Sequence, residues 1–134
     1  MVLVDTSVWL DYLKGVASLE ARWLFDRLGV ETFVLPDLVL CEVLQGAKSE
    51  SDMTKLRERM SPFEVLDSGG KDLAVSSAIN DRLLRSKGLT VRTTIDCIVA
   101  TLCIERRLRL LHRDRDFDGF EVHLALEVIH PRIQ

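Results

Sequence analysis

The sequence has few of the residues that build a structural zinc site or a disulfide framework. Its three cysteines are Cys41, Cys97 and Cys103, and no two of them have the CxxC spacing of a zinc ligand pair. Each lies in an apolar segment with helical character, so we predict that all three are small, reduced core residues. The cysteines therefore give no support to structural zinc.

Long apolar runs and targeting signals are also missing. No stretch approaches the 18 or more apolar residues of a membrane span. The first residues lack the basic, apolar and cleavage regions of a signal peptide. We therefore expect a cytoplasmic protein that does not associate with a membrane.

The composition also lacks overall basicity and an aromatic-rich surface. The formal net charge is −3 and aromatic residues make up 6% of the chain, so an anionic ligand has to be bound by local basic patches. The chain has 134 residues, of which 47% are hydrophobic, and this is enough for one sizeable core. We predict a single domain over residues 1–134.

Short apolar runs alternate with helical patterns along the chain. We predict strands at 2–4, 33–35, 63–67 and 108–112, and one more with indistinct edges within 121–130. Helical patterns lie between them, at 18–28, 36–46, 51–60 and 71–87 and from about residue 93 onward. This alternation predicts an α/β sandwich around a mainly parallel sheet.

Acidic residues occur at four places with apolar surroundings. Asp5 follows the first strand, Glu42 lies within an apolar helix, and Asp96 lies in the first turn of a helix. Asp114 and Asp116 follow the strand at 108–112. Taken singly, the aspartates are explained by helix capping or by turns, whereas an ionised Glu42 on an apolar helix needs a partner.

Taken together, these acids favour a metal site. The carboxyl ends of parallel strands share one edge of the sheet, where Asp5 and Asp114 are both expected. Carboxylates gathered there repel one another by roughly 4 kcal/mol per pair at 4 Å and an effective dielectric constant of about 20. Oxygen ligands select hard cations, so we predict Mg²⁺ or Mn²⁺ and metal-assisted hydrolysis of a phosphodiester.

Basic residues near the acids are candidates for contacts with substrate phosphates. Residues 106–115 contain five arginines and one acid, and Arg113 and Arg115 flank Asp114. Arg92 lies just before the Asp96 helix and is the preferred candidate. The alternative is that these arginines are solvated or neutralise the nearby carboxylates.

Four segments resemble a known family. They are "VLVDTSVWLDYL" at the start, "LPDLVLC" followed by glutamate, "TVRTTIDCIVATLC", and "LLHRDRDFDGF". Together they resemble a PIN-domain ribonuclease, specifically the VapC-like toxins of bacterial type II toxin-antitoxin systems. The resemblance runs over nearly the whole chain, and it implies a PIN-like three-layer fold.

The resemblance also implies an activity and partners. It implies an endoribonuclease that depends on Mg²⁺ or Mn²⁺ and acts on tRNA or another structured RNA. It further implies a homodimer that a cognate antitoxin inhibits. The implied metal-binding acids are Asp5, Glu42, Asp96 and Asp114, with Asp116 as an alternative or additional ligand, and Thr6 and Ser7 are the implied supporting hydroxyls.

Three other interpretations compete with this one. A phosphoacceptor receiver domain needs an acidic pair after its first strand and a late lysine, but Asp5 is alone and the late basic residues are arginines. A haloacid-dehalogenase-type phosphatase needs a second aspartate two residues after the first, where this chain has Ser7. A PIN-like module that binds RNA or a partner without cleaving it stays open.

Overall fold

The computed structural model describes residues 1–132 and contains four strands and seven α-helices within them. The strands are β1 (Val2–Val4), β2 (Phe33–Pro36), β3 (Glu64–Leu66) and β4 (Arg109–Leu111). The helices are α1 (Thr6–Lys14), α2 (Leu19–Arg27), α3 (Asp37–Gln45), α4 (Glu50–Met60), α5 (Lys71–Ser86), α6 (Thr94–Arg106) and α7 (Asp118–Leu124).

The four strands form one sheet in the order β3-β2-β1-β4, and every pairing between them is parallel. The chain moves from β1 outward through β2 to β3, and then returns past β1 to β4. β1 and β4 are therefore neighbours whose connections leave in opposite directions. Such a switch point opens a crevice at the carboxyl ends of the two strands, where ligands bind in open α/β sheets.

The sheet lies between two helical layers, as the sequence predicts. Helices α1 to α4 pack on one another and on β2 and β3, whereas α5, α6 and α7 pack together with α6 against β4. β1 is fully buried, and the fully buried side chains of Trp9, Phe117 and Phe120 fill much of the core. Burial on both faces explains why β1 and β2 have continuous apolar runs, whereas the edge strand β3 is largely exposed.

Side-chain caps fix the starts of the elements that carry the acids. Asp5 caps α1, Thr93 caps α6, and Asp114 caps a single 3₁₀ turn at Arg115–Phe117. The capping interpretation of Asp5 is therefore correct, and it is compatible with a second role, because a cap uses only part of a carboxylate.

The prediction of a strand within 121–130 is wrong. Residues up to Leu124 belong to α7, which ends at Ala125 in the left-handed conformation (φ 60°). Only Val128 joins the sheet, through an isolated parallel bridge to Leu110. The segment thus adds one bridge to the edge of β4 instead of a strand.

The prediction for the cysteines is correct for two of the three. Cys97 and Cys103 are buried, but Cys41 is exposed on α3. Within residues 1–132, none of the helices combines the length and the apolar character that a membrane crossing requires.

Candidate metal centre

Asp5 lies at the carboxyl end of β1 and is only 4% exposed. One carboxylate oxygen, Oδ2, accepts hydrogen bonds from the Ser7 amide at 3.1 Å and from the Ser7 hydroxyl at 2.7 Å. The other oxygen, Oδ1, is buried and has no hydrogen-bond partner among the residues that the structure describes. Burial raises the pKa of Asp5, the Ser7 hydrogen bonds oppose that rise, and the charge of Glu42 adds to it.

The Ser7 hydroxyl also links the two segments that follow β1 and β4. It donates to Asp5 and accepts a hydrogen bond from the Arg113 amide at 3.1 Å. The Asp5 amide in turn donates to the carbonyl of Leu111, the last residue of β4, at 2.9 Å. The position of Asp5 relative to the segment after β4 is therefore fixed by two hydrogen bonds.

Glu42 is half-buried on α3, and its Oε1 accepts a hydrogen bond of 2.7 Å from the Thr6 hydroxyl. Thr6 and Ser7 thus each hold one acid of the candidate site. The partner that the apolar surroundings of Glu42 require is a hydroxyl, and not a basic side chain.

Asp96 lies in the first turn of α6 and is 8% exposed. Its pKa is raised to about 7, first by burial and then by the negative charges of Asp5, Asp114 and Glu42. Because the negative charges of three other carboxylates raise the pKa of Asp96, the four acids form one electrostatic cluster. In the absence of a cation, a proton on Asp96 relieves part of their repulsion.

Asp114 and Asp116 lie in the turn after β4. Oxygens of Asp96, Asp114 and Asp116 lie within 4.8 Å of one another, as the ligands of one metal ion would. The Asp116 amide donates to Asp114 Oδ1 at 2.9 Å, and the Asp114 amide donates to Nδ1 of His112 at 3.0 Å. These two bonds hold the acidic turn in shape.

Arg92 binds this acidic turn directly. Its Nη2 donates to Asp114 Oδ1 at 3.1 Å, and its Nε donates to Asp116 Oδ2 at 2.8 Å. Its backbone amide also donates to Asp116 Oδ2 at 3.1 Å. Burial works against ionisation of Asp116, but the hydrogen bonds and charge of Arg92 outweigh it and lower the pKa of Asp116 below its ordinary value.

The other two arginines that were predicted to contact the substrate do not bind the acidic turn as Arg92 does. Arg113 directs its guanidinium to Asp11 on α1 and to Glu20 on α2, with 3.6 Å between Arg113 Nε and Glu20 Oε2. Arg115 is exposed, and within residues 1–132 its side chain takes part in no ion pair. Of the three arginines predicted to contact the substrate, two therefore form ion pairs with acids of the chain itself.

The donor set fits a hard divalent cation. Every candidate ligand is a carboxylate oxygen, which Mg²⁺ and Mn²⁺ prefer. The buried, unpartnered Oδ1 of Asp5 and the raised pKa of Asp96 both indicate negative charge that the protein alone does not fully compensate. The residues at this sheet edge therefore fit a divalent cation.

Sequence reasoning did not assign two of the contacts at this site. It preferred Arg92 as a substrate contact and gave neutralisation of nearby carboxylates as the alternative, without naming Asp114 and Asp116 as the partners. It also did not predict that His112 accepts the Asp114 amide. The excess of arginine around the acidic turn was the available signal for the first, whereas a histidine ring that accepts a backbone amide two residues later leaves no pattern in the sequence.

The fold and the site define a class: a three-layer α/β/α protein with a group of carboxylates at the switch point of a parallel sheet. Residues 2–122 match the model of the PIN domain. The chain therefore belongs to the PIN-domain family.

Proteins of similar sequence narrow the assignment to one group within the PIN-domain family. The chain is 33% identical over 122 residues to the VapC ribonuclease Mb1587 of Mycobacterium bovis and to ribonuclease VapC11 of Mycobacterium tuberculosis. In each case the match covers 88% of this chain and 90% of the relative. The chain is thus homologous to VapC ribonucleases, as the four sequence motifs predict.

Solved structures agree on the fold. The chain resembles VapBC2 from Rickettsia felis bound to a promoter DNA fragment with a TM-score of 0.77 and 19% identity, covering 96% of this chain and 98% of that one. It resembles FitAcB from Neisseria gonorrhoeae with a TM-score of 0.75 and 20% identity, covering 98% of both chains.

Proposed function

We propose that this protein is an endoribonuclease toxin that depends on Mg²⁺ or Mn²⁺ and hydrolyses RNA phosphodiester bonds. The observation that carries the proposal is the group of carboxylates at the β1/β4 switch point, where oxygens of Asp96, Asp114 and Asp116 lie within 4.8 Å of one another and nearby carboxylates help to raise the pKa of Asp96 to about 7. The homology to VapC ribonucleases supports RNA as the substrate.

In this proposal Asp5, Glu42, Asp96 and Asp114 hold the cation. Ser7 fixes the orientation of Asp5 through two hydrogen bonds, and Thr6 does the same for Glu42 through one. A bound divalent cation would lower the pKa of a water molecule and stabilise the negative charge that develops on the phosphate. The hydrogen bonds of the chain hold the carboxylate oxygens in position before a cation binds, so that little reorganisation of the site is needed during the reaction.

We assign the fourth ligand position to Asp114 and a supporting role to Asp116. The charge of Asp114 acts on Asp96, whereas Asp116 Oδ2 accepts two hydrogen bonds from Arg92. Each of these two carboxylates accepts two hydrogen bonds on one oxygen, but both of those on Asp116 come from Arg92, whose charge also lowers the pKa of Asp116, whereas only one of those on Asp114 does. Asp116 then stabilises the turn that presents Asp114.

Arg115 is our first candidate for contact with the RNA backbone. It is exposed beside Asp114 and engages no acid within the described part of the chain. Arg113 orients the turn through Asp11 and Glu20 and is a weaker candidate. Removal of a phosphate contact would weaken RNA binding and reduce its dependence on salt.

The proposal includes partners and a compartment. Several similar structures are toxin-antitoxin complexes, which supports a cognate antitoxin as the inhibitor of this chain. A homodimer is supported by an exposed apolar row on α5, formed by Val75, Ile79 and Leu83 at successive turns. Light scattering of the purified chain measures this oligomeric state.

We further propose tRNA as the structured RNA substrate and the cytoplasm as the compartment.

The test is cleavage of a total tRNA pool by the purified chain with Mn²⁺. We expect cleavage that EDTA abolishes and that Asp5→Asn or Asp96→Asn lowers by at least about 100-fold, since each removes a charge at the reacting centre. Glu58→Gln, on the exposed part of α4, is the matched control and should cleave like the parent. If folded Asp5→Asn and Asp96→Asn cleave as well as the parent, the metal-centre assignment is wrong. If the parent cleaves neither the tRNA pool nor a total cellular RNA pool, the chain is a non-catalytic PIN-like binding module for RNA or a partner.

A further inference from the structure

Arg92 is placed where it can oppose cation binding. Its guanidinium spans two carboxylates of the acidic turn, with 3.1 Å from Nη2 to Asp114 Oδ1 and 2.8 Å from Nε to Asp116 Oδ2. Asp114 is a proposed cation ligand, and one of its oxygens lies within 4.8 Å of an oxygen of Asp96. A positive charge of the chain therefore already neutralises part of the cluster that a cation would occupy.

The anchoring of Arg92 is uneven. Asp116 receives both Nε and the backbone amide of Arg92, whereas Asp114 receives only Nη2. The contact with Asp114 can therefore be lost while the loop before α6 stays attached to Asp116. The arginine side chain is 66% exposed, so its tip has space to move into solvent.

We propose that Arg92 is an internal counter-ion that competes with the divalent cation for Asp114. Without a cation, the guanidinium stabilises the acidic turn by neutralising Asp114 and Asp116. When a cation binds, Nη2 leaves Asp114 and becomes available to a phosphate of the RNA, while Nε stays on Asp116. Cation binding and exposure of a phosphate-binding group are thereby linked. This inference rests on the proposed cation site.

The competition has a measurable consequence, because a unit positive charge beside a doubly charged cation lowers its affinity. With screening by solvent at this exposed position, removal of the charge should tighten Mn²⁺ binding about five- to tenfold. Lysine keeps the charge but cannot span two carboxylates as the planar guanidinium does, so Arg92→Lys should give an intermediate affinity.

The experiment is Mn²⁺ titration of the RNA-free protein, followed by calorimetry or by the electron paramagnetic resonance signal of free Mn²⁺. The variants are Arg92→Gln and Arg92→Lys. Arg109→Gln is the matched control, because Arg109 also forms an ion pair, with Glu31, but lies at the start of β4, away from the acidic turn. We expect tighter binding for Arg92→Gln, a smaller gain for Arg92→Lys, and a change of less than twofold for Arg109→Gln. Circular dichroism verifies that each variant is folded.

The outcomes separate this inference from the proposed function. If the parent binds Mn²⁺ and Arg92→Gln binds it equally or more weakly, the counter-ion role is wrong while the cation site stands. If Arg92→Lys binds as tightly as Arg92→Gln, the charge is not what competes, and the inference is also wrong. If neither the parent nor Arg92→Gln binds Mn²⁺, the proposed cation site itself is wrong.

Discussion

Replacing Asp96 with asparagine should stabilise the cation-free protein at neutral and alkaline pH. The carboxyl group has an ordinary pKa of 3.8 and a pKa of about 7 in the folded chain. Between these two values the folded chain holds a proton that the unfolded chain has released, so stability falls as the pH rises through this window and is constant above it. Asparagine has no proton to lose and avoids this penalty.

The magnitude follows from the two pKa values of Asp96. Each pH unit in the window costs about 1.4 kcal/mol, so the full penalty above pH 7 is at most about 4 kcal/mol. We expect Asp96→Asn to exceed the parent in unfolding free energy by up to about 4 kcal/mol at pH 8, and the difference to shrink as the pH approaches 4.

The assay is urea unfolding followed by circular dichroism between pH 5 and pH 8 in EDTA. Asp72→Asn is the matched control, because Asp72 also lies in the first turn of a helix but is exposed. We expect the control to stay within about 0.5 kcal/mol of the parent at every pH. Added Mn²⁺ should stabilise the parent more than Asp96→Asn, since a ligand of the folded state raises its stability by mass action. A difference between Asp96→Asn and the parent that is equal at pH 5 and pH 8 would refute the reasoning.

Three further predictions follow from particular contacts. Asp114→Asn should weaken Mn²⁺ binding at least about tenfold more than Asp116→Asn does in the same titration; an equal loss would contradict our assignment of the fourth ligand. Trp9→Ala should lower the unfolding free energy by about 3–5 kcal/mol in urea, because the side chain is fully buried; a loss below about 1 kcal/mol would contradict its place in the core. Under native conditions iodoacetamide should modify Cys41 alone, since the other two cysteines are buried, and mass spectrometry of the peptides measures this; modification of all three at similar rates would contradict the burial.

Much of the fold could be predicted from the sequence because β1, β2 and most of β4 are buried. Runs such as Val2–Val4 and Arg109–Leu111 differ clearly from the helical patterns between them. The segment 121–130 was mispredicted because its apolar and polar residues alternate locally. Just before it, Phe117 in the 3₁₀ turn and Phe120 in α7 are both fully buried and spaced as on one helix face.

The candidate site was predictable only in part. Spacing along the chain predicted that Asp5 and Asp114 would meet, because both follow strands of a parallel sheet. It could not predict which acid Arg92 would contact, since the loop before α6 and the turn after β4 meet only in three dimensions. Likewise, the exposure of Cys41 depends on how α3 is rotated in its layer, and an apolar helix does not determine this.

The most direct test of the whole account is to map the ends of the RNA fragments that the chain produces from a total tRNA pool with Mn²⁺. Hydrolysis by water at a cation held by Asp5, Glu42, Asp96 and Asp114 predicts 5′-phosphate and 3′-hydroxyl ends, and no fragments in EDTA. Fragments with 2′,3′-cyclic phosphate ends would show attack by the ribose hydroxyl and would contradict the account. Cleavage that persists in EDTA would contradict it as well.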